Sequence, residues 1–130
     1  MGIHVRLTAD ACADLDRYRA SGQFKRFLAK LVRLEEEGVG VGVPLGRGLT
    51  TFRKIKVGDR DWRIIFQANA DETEATVWVI ADRSDEQCYK LAAERLEAMG
   101  TQRPEARSLA AILYEIADQR RRDPEPPRLG

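Results

Sequence analysis

Five side chains of this 130-residue sequence have the types and spacing to handle a phosphodiester: Lys54, Lys56, Arg63, Arg83 and Tyr89. Lys54 and Lys56 belong to the run Arg53-Lys-Ile-Lys-Val57, which alternates cationic and apolar residues. Side chains alternate between the faces of a strand, so both lysines fall on one face and Ile55 and Val57 on the other. Two neighbouring lysines repel each other, and folding alone gives no reason to place them there. Gly58 to Asp61 supplies turn chemistry, and Trp62 to Phe66 returns as a second β-prone run. On the return strand Trp62, Ile64 and Phe66 share one face, leaving Arg63 on the other with Ile65. Guanidinium groups clamp phosphate oxygens bidentately, and cations stabilise charge that develops in a transition state. Lysines and a phenol are also acid–base candidates.

The surroundings of this hairpin are basic. Arg47, Arg53, Lys54, Lys56, Arg60 and Arg63 face only two anions, Asp59 and Asp61, in the stretch from Arg47 to Arg63. Net charge over the whole chain is only +1, so it is the local excess that marks a surface able to hold nucleic-acid phosphates. Arg47, Arg53 and Arg60 are the candidates for contacts outside the reacting centre.

The elements that must position these groups can be read in order. Ile3 to Leu7 is a short strand. Thr8 caps a helix over Ala9–Arg19 with Cys12 and Leu15 inward, and Asp10 lies in its first turn. After Ser21-Gly22, the residues Phe24, Phe27, Leu28, Leu31 and Leu34 recur at helical spacing up to Glu37-Gly38, giving a second helix antiparallel to the first. Val39 to Gly48 is glycine-rich around Pro44. It lacks the Gly-Lys-Ser/Thr ending of a nucleotide loop and reads as a flexible connection. Ala75 to Ala81 is apolar on both faces, as in a central strand covered on one side by helices. Ser84 with Gln87 opens a capping box for a helix carrying Cys88, Leu91, Ala92 and Met99 inward.

The resulting order, β-α-α-β-β-β-α, predicts an α+β fold. Its expected form is a mainly antiparallel four-stranded sheet with helices packed on one face. Residues 1–99 form the domain on this reading. Residues 100–130 are an extension, broken at Gly100–Pro104, helical over Ser108–Arg122 (Leu109, Ile112, Leu113, Ile116) and disordered from Asp123. The extension could complete the fold, mediate dimerisation or cover the basic face. On the folded sheet, Lys54, Lys56, Arg63, Arg83 at the end of the last strand and Tyr89 on the following helix are expected to converge on one open face.

Composition excludes several classes. At 43% hydrophobic and 33% charged residues the chain is globular. Cys12 and Cys88 match no metal or redox spacing and are expected as reduced core thiols; with His4 the only histidine, a zinc site is not indicated. No apolar run has transmembrane length and no signal-peptide pattern opens the chain, so a soluble cytoplasmic protein is expected.

The run Arg-Lys-Ile-Lys-Val-Gly-Asp-Arg-Asp-Trp-Arg-Ile-Ile-Phe66, followed by Val-Trp-Val-Ile-Ala-Asp-Arg-Ser-Asp-Glu-Gln-Cys-Tyr89, resembles the RelE/ParE superfamily of bacterial type II toxins. Pro44-Leu45 to Leu49 fits the segment that precedes the hairpin there. The resemblance covers about residues 3 to 99 and leaves the C-terminal segment unmatched. It implies, in the RelE-type branch, a ribosome-dependent mRNA endonuclease that works without a metal or other cofactor, by attack of the ribose 2′-hydroxyl. The family's lysine pair then corresponds to Lys54 and Lys56, its second-strand arginine to Arg63, its strand-end arginine to Arg83 and its tyrosine to Tyr89. Arg63 would hold the scissile phosphate and Arg83 would bind phosphate or stabilise the leaving group. Lys54, Lys56 and Tyr89 would share acid–base work and base stacking, with their division left open. Implied partners are a cognate antitoxin protein, mRNA on the ribosome and, through the antitoxin, operator DNA. Within the same fold the alternatives are a ParE-type gyrase inhibitor and an inactive antitoxin- or operator-binding module. Each residue also has an ordinary structural role open to it: Arg83 as a salt-bridge partner of Asp82 or Asp85, Tyr89 as a half-buried helix residue, Arg63 as a cross-strand ion pair.

Overall fold

A computed structural model describes residues 2–46, 49–58, 62–99 and 104–122. Strand β1 (His4–Leu7) leads to Thr8, whose hydroxyl accepts the Ala11 amide at 3.1 Å and so caps helix α1 (Ala9–Arg17). Helix α2 (Gln23–Glu37) buries Phe27, Leu31 and Leu34 and ends at Gly38, whose φ of 88° lies in a region that glycine adopts freely. A short helical turn (Val39–Val41) precedes strands β2 (Val43–Gly46), β3 (Leu49–Lys56), β4 (Arg63–Ala68) and β5 (Glu74–Ala81). Helix α3 (Asp85–Ala98) starts beside Ser84, whose hydroxyl accepts the Gln87 amide at 3.4 Å. Helix α4 (Pro104–Arg122) begins four residues before Ser108, the start read from the sequence. A proline is tolerated there because the first helical N–H has no intrahelical partner to lose. Among the described residues no helix is long and apolar enough to cross a membrane.

The fold is α+β and its sheet mainly antiparallel, as expected, but with five strands in the order β1-β5-β4-β3-β2. β1 runs parallel to β5, and the other neighbours are antiparallel. The extra strand is β2, which lies in the segment expected to be a flexible connection. Pro44 is no obstacle at a sheet edge, because the N–H it lacks would otherwise point to solvent. At Gly42 there is no room for a side chain: a Cβ there would stand 2.7 Å from a ring carbon of Phe66 and 3.1 Å from the Lys54 carbonyl oxygen.

The helices cover both faces of the sheet, not one. Phe27, Leu31 and Leu34 of α2 and Ala11 of α1 pack with Ile55, Val57, Ile64, Phe66, Val77 and Ile80. On the other face α3 (Cys88, Tyr89, Ala92, Ala93, Leu96) and α4 (Ala110, Leu113, Ile116, Ala117) pack with Phe52, Ile65, Val79 and Ala81. This sandwiching is why β5 is apolar on both sides. Trp78 is an inserted residue: Ile65 pairs with Val79 while Phe66 pairs with Val77. The bulge turns Trp78 and Val79 toward the same α3–α4 core.

Two inward residues differ from the expectation. Cys12 is exposed and Leu28 is 37% exposed. In α1 the inward positions are Ala11 and Asp14, and Asp14 is fully buried. Its reason is the sheet edge. β1 pairs with β5 only as far as Leu7 opposite Val77, and the Thr8 amide donates to the Val77 carbonyl at 3.1 Å. Beyond that point Asp14 Oδ2 accepts the Ile80 amide at 3.0 Å, and Arg95 Nη1 of α3 donates to the Trp78 carbonyl at 2.7 Å. Asp14 and Arg95 join through two hydrogen bonds of 2.7 and 2.9 Å. A carboxylate–guanidinium pair therefore continues the ladder where the edge strand stops, and links helices on opposite faces. On the α1–α2 side, the rings of Tyr18, Phe27 and Trp62 meet at centroid distances of 5.1 to 5.7 Å.

Arg95→Ala leaves the Asp14 carboxylate buried with its main partner gone, and is expected to destabilise the protein by about 3 kcal/mol. Arg19→Ala, which removes an exposed pair with Asp16 and a cation–π contact at 5.9 Å from the Phe24 ring, is expected to cost no more than about 1 kcal/mol. Denaturant unfolding of the two variants checks the contrast. Thiol reactivity checks the placement of the cysteines. Burial pushes the Cys88 thiol up to about 12, so in the native state it should react roughly a hundredfold more slowly than exposed Cys12. The two should become equivalent in denaturant.

Candidate anion site on the α3–α4 face

Strand alternation delivers Lys54 and Arg63 to the same face. In the β3–β4 register Lys54 lies opposite Ile65 and Lys56 opposite Arg63, while Ile55 and Val57 turn into the α1–α2 core. The face is not open, however. α3 and α4 lie over it, and Lys54 and Arg63 are each only 5% exposed. Buried cations need charge partners, and the one that unites them is Asp85, also 5% exposed, at the first position of α3.

Lys54 Nζ donates to Asp85 Oδ2 at 2.6 Å, and Arg63 Nε donates to Asp85 Oδ1. The Arg63 guanidinium is held a second time by the Arg83 carbonyl, 2.8 Å from Nη1. From α4, Arg120 Nε comes within 3.8 Å of Asp85 Oδ2, with a third of its side chain exposed. Cations from β3, β4 and α4 thus share one carboxylate at the start of α3, where the helix dipole also favours an anion. Tyr89 is fully buried one turn further along α3, and Lys54 Nζ lies 5.9 Å from its ring centroid, a cation–π distance.

The sequence candidates therefore divide. Lys54, Arg63 and Tyr89 come together, and Lys56 is half-buried at the register position facing Arg63. Arg83 enters through its backbone, which accepts from Arg63 and from the Cys88 thiol, while its side chain is exposed and forms no salt bridge among the described residues. Asp82, its suggested partner, instead accepts the Tyr18 hydroxyl at 3.0 Å and returns its own amide to it at 3.1 Å. Burial, and then this bond, push the Tyr18 hydroxyl up to about 12. Arg53 does not join the cluster. It shares its strand face with Ile55, and its guanidinium donates to the Gly42 carbonyl at 3.1 Å, across to edge strand β2. Arg47 and Arg60, with the turn at Asp59 to Asp61, the break over 100–103 and the tail from Asp123, lie outside the described residues.

Asp85 and Arg120 are the members that sequence reasoning missed. The sequence offers Asp85 only as a salt-bridge partner of Arg83, and only the closure of β4 against α3 makes it the partner of Lys54 and Arg63. Arg120 belongs to the run Arg120-Arg121-Arg122, whose place depends entirely on how α4 packs. The whole arrangement is suited to gripping an oxyanion with charge-assisted hydrogen bonds from fixed directions.

Compared by sequence, the chain matches no protein-family model and no curated protein. Compared by structure, it is similar to the E. coli toxin RelE. A mutant of that toxin in the free state is 20% identical with a TM-score of 0.58, over 73% of this chain and 98% of that one. The same mutant in complex with a peptide of the antitoxin RelBc gives 20% identity and a TM-score of 0.51, over 68% of this chain and 92% of that one. The toxin–antitoxin complex RelBE2 from Mycobacterium tuberculosis aligns at 25% identity and a TM-score of 0.48, over 64% of this chain and 100% of that chain.

Asp85→Ala is expected to destabilise the protein by about 3 to 5 kcal/mol, because it leaves Lys54 and Arg63 buried around a missing carboxylate. Arg83→Ala removes only an exposed side chain and is expected to stay within about 0.5 kcal/mol of wild type. Thermal and denaturant unfolding of both variants measures the difference. Equal stability of Asp85→Ala and wild type would show that Asp85 is not the hub.

Proposed function

We propose, for a chain with the RelE toxin fold, that this protein is the toxin of a toxin–antitoxin pair and cleaves mRNA on the ribosome as a metal-independent endoribonuclease. The observation that carries the proposal is the meeting of Lys54 and Arg63 on a single oxyanion, the Asp85 carboxylate. Groups placed to hold two carboxylate oxygens are placed to hold two phosphate oxygens. The fold supports the proposal, because E. coli RelE is the toxin of such a pair and has been seen with a segment of its antitoxin.

In the proposed reaction the ribose 2′-hydroxyl gives its proton to a base, its oxygen forms a bond to the adjacent phosphorus, and the bond from phosphorus to the 5′ oxygen breaks. The leaving oxygen takes up a proton, so the products are a 2′,3′-cyclic phosphate and a 5′-hydroxyl. Arg63 holds the non-bridging oxygens, and exposed Arg83 stabilises the leaving group. Lys54, Lys56 and Tyr89 share the proton transfers and stacking, Tyr89 only where the cover over its buried ring is withdrawn. The cognate antitoxin restrains this activity by covering the basic surface, and operator DNA is contacted through the antitoxin.

Arg83→Ala is the cleanest test, since it alters the proposed chemistry without touching the buried cluster. Wild type and Arg83→Ala are induced in cells, and primer extension is run on a translated reporter mRNA. Wild type should produce cuts within codons, and the variant about a hundredfold fewer at equal soluble protein. Growth arrest without cuts, accompanied by loss of plasmid supercoiling, would move the protein to the gyrase-inhibiting alternative. Neither arrest nor cuts from folded protein would leave an inactive partner-binding module.

A further inference from the structure

We infer that the Asp85 carboxylate is an internal surrogate for a substrate phosphate, so that the folded chain holds its own anion site closed, with the last turn of α4 latched over it through Arg120. This rests on the assignment of Lys54 and Arg63 as a phosphate site. Both Asp85 oxygens are engaged: Oδ1 by Arg63, and Oδ2 by Lys54 at 2.6 Å with Arg120 at 3.8 Å. A phosphate cannot use these donors until the carboxylate gives them up. Asp85 is the first residue of α3, whose start is held by the Ser84 cap on the Gln87 amide, so a change of its side-chain rotamer leaves the helix in place.

The latch is built to move separately from the helix that carries it. α4 anchors itself through Ala110, Leu113, Ile116 and Ala117. Past Ala117, no buried residue occurs before the helix ends at Arg122. A terminal turn without buried side chains opens at low free-energy cost. Opening of residues 118–122 would therefore withdraw Arg120 without unpacking α4. Incoming phosphate would then take the place of Asp85 on Lys54 and Arg63, exchanging one anion for another rather than leaving cations buried and unpaired.

The probe is inorganic phosphate, with chloride at matched ionic strength as reference, and the full-length chain is used throughout. Wild type should show no phosphate-specific change in Tm. Asp85→Asn, which keeps the side-chain volume but removes the anion, should gain at least about 4 °C at saturating phosphate. The double variant Asp85→Asn with Lys54→Met should lose that gain and reports any general salt effect. If Asp85→Asn does not fold in chloride, phosphate should restore folding. Failure to fold in either salt, a folded Asp85→Asn with no phosphate response, or an equal response from wild type would each overturn the inference. Phosphate stabilisation of Asp85→Asn together with absence of mRNA cleavage by wild type would leave the closed anion site standing and refute the nuclease assignment alone. Cleavage that depends on Arg83, with no phosphate response at Asp85→Asn, would do the reverse.

Discussion

A central strand needs hydrogen-bonding neighbours on both sides, and β5 runs out of one halfway along its length, where β1 ends at Leu7 opposite Val77. The rest of the molecule depends on how that gap is filled. Asp14 takes the Ile80 amide, Arg95 gives to the Trp78 carbonyl, and the two side chains bond to each other. Left open, buried ladder groups here would each cost on the order of 1 to 3 kcal/mol. The same pair fixes α1 against α3 around the edge of the sheet. Because α3 carries Asp85 and Tyr89 at its other end, the geometry of the anion site is anchored by a contact made three turns away.

The cluster at Asp85 has a different character. The Asp14–Arg95 pair serves backbone groups that are fixed by the sheet, whereas Asp85 serves side chains that folding did not require to be charged. Isosteric apolar residues at positions 54 and 63 would bury at no electrostatic cost. Retaining two buried cations and the carboxylate that neutralises them is a choice against simple stability, as is usual where a site must recognise charge. Tyr89 and Cys88 complete this wall of the core, and burial keeps the Cys88 thiol protonated.

Local signals in the sequence carried much of the fold. Thr8 and Ser84 cap their helices, the Phe27-Leu31-Leu34 stripe is buried, and the alternation of Lys54, Ile55, Lys56 and Val57 puts lysines and aliphatics on opposite faces. Tertiary packing decided what was missed. β2 hid behind Pro44 and its glycines, of which Gly42 lets the chain lie against Phe66 because it has no Cβ. Cys12 was expected inward as a small apolar residue, yet it is Asp14 of α1 that is buried, as a substitute for a strand. The shared face of Lys54, Arg63 and Tyr89 was legible from spacing, but their burial was not. That depends on α4, whose landing face no local pattern specifies, and on Asp85 and Arg120 meeting across 35 residues of chain (120 − 85).

The strand order also governs the sequence of events during synthesis. β5 lies between β1 and β4, and His4 pairs with Glu74 across 70 positions (74 − 4). β2, β3 and β4 pair locally, whereas β1 has no strand to join until Glu74–Val77 have been made, and such long-range pairing is slow to nucleate. α4 emerges last of the described elements. A growing chain thus passes through an interval in which the sheet and α3 can assemble while the helix that closes the Lys54–Arg63 face has not yet left the ribosome. During that interval Lys54 and Arg63 lack the α4 cover that they have in the folded chain.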